Sequence, residues 1–108
     1  MKILPYRART ASGEVFDISF PLHAETGDPV RVSQLISVLL NAIDRDIAIA
    51  GPASNGDVLQ ALAMSMALRA EMIHADSAIT GKLSLDLLRC ALEATAGAKR
   101  QSPPIGHA

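Results

Sequence analysis

Three neighbouring polar residues, Glu71, His74 and Asp76, form the group best suited to acid–base or metal chemistry in this 108-residue sequence. Glu71 and His74 are three residues apart, so one helix face would present both side chains to a single ion. A zinc site takes three or four protein ligands, so a complete site needs further ligands from a second copy of the chain. The simpler interpretation, which we favour, is a solvated helix end where histidine suits the negative dipole terminus.

The stretch GPASNGD has the glycine spacing of a phosphate-binding loop, with Gly51 and Gly56 ahead of a predicted helix. Such a loop continues with Lys and Ser or Thr, which contact the phosphates and the magnesium ion. Here Asp57 and Val58 follow, and a carboxylate repels phosphate while it suits the first turn of a helix. The sequence also has no dinucleotide fingerprint and no nucleophile elbow, so we assign no catalytic residue and expect no cofactor.

The composition favours closely packed helices. Hydrophobic residues make up 49% of the chain, but its aromatic residues are only Tyr6, Phe16 and Phe20. Sandwiches and barrels are richer in aromatic and β-branched residues, whereas Leu, Ala and Met suit helices. The length fits one domain, which we expect to span residues 1–98, with residues 99–108 as a disordered tail.

Charge is distributed unevenly along the chain. Residues 12–98 carry all eleven acidic residues against five basic ones, a net charge of −6, while the ends are basic. An acidic body disfavours nucleic acid as a partner, except at Lys2, Arg7 and Arg9 near the N-terminus. The single Cys90 suits a reducing compartment, and no apolar run is long enough to cross a membrane. We therefore expect a soluble cytoplasmic protein with no membrane partner.

The first 22 residues predict a β-hairpin about a turn that contains Gly13. Phe16, Ile18 and Phe20 alternate with more polar residues, the pattern of a strand with one buried face. Pro5 and Pro21 lack a backbone donor, so they belong at sheet edges or strand ends. A hairpin alone is marginal in water and needs a helix or a third strand.

Three helices follow in the predicted order. Asp28 and Pro29 favour a helix over about 29–45, and Ser54 begins a capping box before a helix over about 55–75. Residues 47–50 fit either a short strand or a helix extension. A third helix, capped by Thr80 or Ser84, stops near Gly97. The predicted fold is α+β, an N-terminal β-hairpin packed on a three-helix bundle in which helix 2 (about 55–75) is central.

Helix 2 is apolar on two sides, which thin polar stripes separate. The Leu62 face consists of Leu59, Leu62, Ala63, Met66, Ala70 and Ile73. The Leu68 face consists of Ala61, Met64, Leu68, Met72 and Ala75. Either the rest of the chain covers both faces, or a second copy covers the Leu68 face, because so short a chain has little material to enclose a helix. A ligand groove is a third, weaker interpretation.

These patterns favour a small non-catalytic, self-associating interaction module or accessory subunit. We expect a homodimer whose interface is the Leu68 face, with a further protein as the other candidate partner. The alternative is a small enzyme or metal-dependent binding protein, with Glu71, His74 and Asp76 contributed by both copies.

Overall fold

The computed structural model describes residues 2–10 and 12–101 of the chain. Two strands, β1 (Ile3–Arg9) and β2 (Val15–Pro21), precede three helices, α1 (Pro29–Ala50), α2 (Asn55–Glu71) and α3 (Ser77–Ala96), and a short strand, β3 (Lys99–Gln101). The predicted α+β class, with an N-terminal hairpin before three helices, is confirmed. The described residues form two compact units. The sheet unit comprises those up to Pro29 and from Leu88 onward, and the helical unit is Val30–Leu87.

The sheet unit is built on the alternation in β1 and β2. The antiparallel register pairs Leu4 with Phe20 and Tyr6 with Ile18, so these side chains share one face of the sheet. Leu4 and Ile18, each 8% exposed, are the buried apolar residues of the described chain. The last turns of α3 lie over this face across a cavity of about 460 Å³, lined by Phe16 and Ile18 on the sheet and by Leu92 among others on the helix. The helix that the hairpin requires is therefore the end of α3.

The sheet edges and the turn follow the predicted chemistry. The strand order β1-β2-β3 makes β1 an edge strand, where Pro5 lies, and Pro21 is the last residue of β2. Between the strands, the Thr10 N–H donates to the Glu14 carbonyl at 2.9 Å, and Gly13 takes a φ of 91°. Only glycine adopts such a φ without strain, so Gly13 permits this tight turn.

The third strand was not predicted. Lys99 pairs with Asp17 and Gln101 with Val15, antiparallel to β2, so the chain returns to the sheet directly after α3. A strand of three residues carries too short a pattern to be read from sequence. The expectation of a disordered tail over 99–108 lies, for residues 102–108, outside the described residues.

Helix α1 begins at Pro29 as predicted and continues to Ala50, so residues 47–50 extend the helix. It ends because Gly51 takes a φ of 109° and its N–H donates to the Ile47 carbonyl at 3.0 Å. This is the single hydrogen bond of a helix C-terminus closed by a glycine with positive φ.

Helix α2 has the predicted start and an earlier end. Ser54 caps it, since its Oγ accepts the Asp57 N–H at 3.1 Å. The helix stops at Glu71, four residues before the predicted end near 75, and Met72 is its C-cap. The chain must turn before α3 begins at Ser77, and the hydrogen bond from the Ala75 N–H to the Ile73 carbonyl, 2.9 Å, belongs to that turn.

The predicted start of α3 at Thr80 or Ser84 was too late, because both residues lie inside the helix. The Thr80 hydroxyl donates to the Ser77 carbonyl at 3.3 Å, and the Ser84 hydroxyl donates to the Thr80 carbonyl at 2.8 Å. Serine and threonine can bond to the preceding turn in this way as well as cap a helix, so sequence alone does not separate the two roles.

We expect Gly51→Ala and Gly81→Ala to change stability in opposite directions. Neither added Cβ would meet an atom within 4 Å, but only Gly51 has a positive φ. Strain at position 51 should lower the free energy of unfolding by about 1–2 kcal/mol, whereas alanine in the interior of α3 should raise it by about 0.5–1 kcal/mol. Urea unfolding at one fixed protein concentration measures both. Shifts of the same sign would show that the helix end at Gly51 is wrongly placed.

Candidate functional site

The Leu68 face of α2 is uncovered within the helical unit. Met64 is 58% exposed, Leu68 62% and Met72 60%, and Ala61 is exposed as well. Ala75 is exposed but lies in the turn after the helix, so the helical part of this face ends at Met72. The structure thus keeps most of the predicted interface residues on one side of one helix.

Helix α1 lies beside the first half of α2, from Asp57 to Ser65. A cavity of about 390 Å³ separates the two helices, lined by Leu39, Ile43 and Ile47 of α1 and by Val58 and Leu62 of α2, among others. Ala61 of the Leu68 face also lines this cavity. Leu62, Met66 and Ala70 are half-buried, so the Leu62 face receives partial cover that the Leu68 face lacks.

Exposed apolar side chains extend well beyond α2. Helices α1 and α2 have no buried residue, and the buried residue of α3 is the polar Thr80. The large apolar side chains that the helical unit leaves exposed are Val30, Leu35, Val38, Leu39, Leu40, Ile49, Leu59, Met64, Leu68, Met72, Ile73, Ile79, Leu85 and Leu87. Scattered single apolar residues on a surface are normal, so this larger set is the candidate for an interaction surface.

The extent of this exposure does not follow from the apolar periodicity of the helices. A stripe at helical spacing shows that a helix buries one side, but not against which chain. Val38 and Ile49 on α1 and Leu85 on α3 are therefore exposed apolar side chains, as Leu68 is. The signal available in the sequence was the 49% hydrophobic content of so short a chain.

The polar group Glu71, His74 and Asp76 serves the turn between α2 and α3. The Ser77 hydroxyl donates to both Glu71 carboxylate oxygens, at 3.2 and 3.3 Å. Asp76 caps α3, since its Oδ1 accepts the Ala78 N–H at 2.8 Å. Within the part of the chain that the structure describes, no three His, Cys, Asp or Glu side chains are grouped so as to hold a metal ion. Two of the three residues thus have a structural role that needs no ion.

The start of α2 is likewise used for capping. Ser54 Oγ occupies the Asp57 N–H, one of the donors that a phosphate at a helix N-terminus would use. The carboxylate of Asp57 lies in the same first turn and adds negative charge there. This geometry agrees with the interpretation of GPASNGD as a helix start.

Among the basic residues near the N-terminus, Arg7 is held by a carboxylate across the hairpin. Its Nε donates to Asp17 Oδ1 at 2.7 Å and its Nη2 to Oδ2 at 3.1 Å. The hydrogen bond to Asp17, and then its negative charge, raise the pKa of the Arg7 guanidinium above its ordinary value. This pairing offsets part of the positive charge that a nucleic-acid interface on Lys2, Arg7 and Arg9 would require.

Two further observations concern the single cysteine and the possibility of a membrane crossing. Cys90 is an exposed free thiol on α3. In residues 2–10 and 12–101, no helix combines the length and the apolar character that a membrane crossing requires.

No family model matches the chain, and it matches neither a curated protein nor a solved structure. The function is therefore argued from the chemistry of the chain itself.

We expect Asp76→Ala to lower the free energy of unfolding by about 1 kcal/mol, because it removes the side-chain acceptor at the start of α3. Asp76→Asn should remain within a few tenths of a kcal/mol of the native value, since the amide oxygen also accepts. Thermal unfolding combined with metal analysis of the purified variants measures the difference. Equal losses in both variants, together with loss of a stoichiometric metal, would assign Asp76 to a metal site instead.

Proposed function

We propose that this protein is a self-associating interaction module, in which a second copy of the chain covers the Leu68 face of α2. The observation that carries this proposal is that α1 and α2 bury no residue while many of their large apolar side chains lie exposed. Burial of one such side chain stabilises a protein by about 1.5–3 kcal/mol, so association gains free energy at many positions at once.

The amount of exposed apolar surface suits an obligate dimer. Each large apolar side chain offers on the order of 100 Å², so those of the helical unit together offer roughly 1,000 Å² or more. Obligate homodimers bury about 2,000–5,000 Å² in total from both subunits, which is the area that two copies would remove from water. A small ligand in the cavity between α1 and α2 would leave Met64, Leu68 and Met72 exposed.

A second copy is the simplest partner because it brings the same uncovered surface. One association event then covers the exposed apolar surface of both copies. Most soluble homo-oligomers are dimers of this kind, whose two copies are related by a two-fold axis. The role that we propose for the assembled dimer is that of a non-catalytic module or accessory subunit with a further protein as its target. We place it in the cytoplasm, where an exposed lone thiol such as Cys90 stays reduced.

Met64→Glu and Leu68→Glu should convert the dimer to monomer or to unfolded chain, because a carboxylate would be buried without a partner. Analytical ultracentrifugation at micromolar concentration, with circular dichroism, distinguishes these outcomes from the native dimer. We expect an apparent affinity loss of at least 100-fold, corresponding to about 3 kcal/mol.

Two controls match this experiment. Gln60→Glu introduces the same charge on the polar stripe of α2, and Met64→Leu keeps an apolar side chain of similar size at the tested position. Both should remain dimeric. A native protein that sediments as a stable folded monomer at micromolar concentration would disprove the proposal.

The unfolding temperature should rise with protein concentration, because folding and association are coupled when the helical unit has no apolar core of its own. A tenfold increase should raise the midpoint by about 3–6 °C. Scanning calorimetry over a hundredfold concentration range measures this shift. A midpoint independent of concentration would indicate that the single chain is stable by itself.

A further inference from the structure

The Leu68 face has a symmetric order of side chains. Read from residue 61 to residue 75 it is Ala, Met, Leu, Met, Ala, with Met64 and Met72 each four residues from Leu68 and the two alanines each seven residues away. The central three residues lie on the helix or at its C-cap, and each is more than half exposed. The pattern is therefore the same in both chain directions about Leu68.

A two-fold axis between antiparallel helices requires this kind of pattern. In such a pair, residue i contacts residue j of the other copy while j contacts i, so positions equally far from the axis meet. With the axis at Leu68, Leu68 meets Leu68 of the partner subunit and Met64 meets Met72 of the partner subunit. Side chains of matched size then face each other over the helical part of the contact, from Met64 to Met72.

In a parallel pair of helices, every residue contacts the same residue of the partner subunit, so no symmetry within the sequence is needed. It also places the like ends of two helix dipoles side by side, whereas antiparallel pairing places opposite ends together. The symmetric order of residue types and the dipoles thus favour the antiparallel arrangement.

We propose that α2 crosses α2 of a second copy in antiparallel orientation, on a two-fold axis that passes beside Leu68. This inference rests on the proposed self-association and specifies its geometry. Met64, Leu68 and Met72 are spaced by four and form one ridge of the helix. When two such ridges pack side by side, the helix axes cross at about −50°.

The crossing is the centre of a larger interface. The three ridge residues offer roughly 300 Å² per chain, well below the ~800 Å² that each partner contributes to a standard interface. In our proposal, the remaining area comes from other exposed apolar side chains of the helical unit.

Cysteine cross-linking tests the geometry in a Cys90→Ser background, which removes the native thiol. The variants are Leu68→Cys, Met64→Cys, Met72→Cys, the double variant Met64→Cys/Met72→Cys, and Ala63→Cys as a control on the Leu62 face. We expect oxidation to link Leu68→Cys and the double variant into covalent dimers in more than half of the chains. The single variants at 64 and 72 and the control should cross-link at least fivefold less.

The contrary results are distinct. Efficient cross-linking of Met64→Cys alone, with Leu68→Cys, would indicate parallel helices and overturn the antiparallel inference. Variants that sediment as dimers but do not cross-link at position 68 would overturn this geometry while leaving the self-association of the chain intact. Monomeric sedimentation of the reduced background protein would disprove both. Circular dichroism of each reduced variant confirms that it is folded before oxidation.

Discussion

The main constraint on this structure is that the chain has many hydrophobic residues but buries few of them. Nearly half of the residues are hydrophobic, yet in the described chain the buried apolar side chains are Leu4 and Ile18. An exposed leucine or methionine contributes little to stability, because stabilisation comes from burying apolar surface. Three amphipathic helices that bury so little apolar surface are therefore poorly stabilised within one chain. The local structure of each helix is sound, with a cap at its start or a glycine at its end. In our proposal, association with a second copy of the chain supplies the missing stabilisation.

The two units meet this constraint in different ways. In the sheet unit, Leu4 and Ile18 are buried, and the last turns of α3 line a cavity beside Ile18, so a small core exists within one chain. In the helical unit, α1 and α2 enclose a cavity but leave the Leu68 face uncovered. In our proposal, the function resides in the helical unit, because its exposed apolar surface is the part of the chain that would bind a partner.

Among the polar residues that first suggested chemistry, Glu71 and Asp76 hold hydrogen bonds of local structure. Asp76 and Ser54 accept backbone N–H groups at two helix starts, and Glu71 accepts the Ser77 hydroxyl between them. Carboxylates and hydroxyls suit these positions for the same reason that they suit metals and phosphates, namely that their oxygen atoms are strong acceptors. Spacing alone does not separate the two uses, whereas the hydrogen-bond partners show the structural one.

Local patterns in the sequence determined the element order, the α+β class, the start of α1 at Pro29, the Ser54 cap and the apolar faces of α2, because these depend on neighbouring residues and on the periods of strands and helices. Three features could be seen only in the structure, since each depends on contacts or on turns beyond the local pattern. They are the strand Lys99–Gln101, the helical state of residues 47–50 and the early end of α2 at Glu71. Only the structure showed that Met64, Leu68 and Met72 lie exposed, because periodicity reports that a face is apolar and not what covers it.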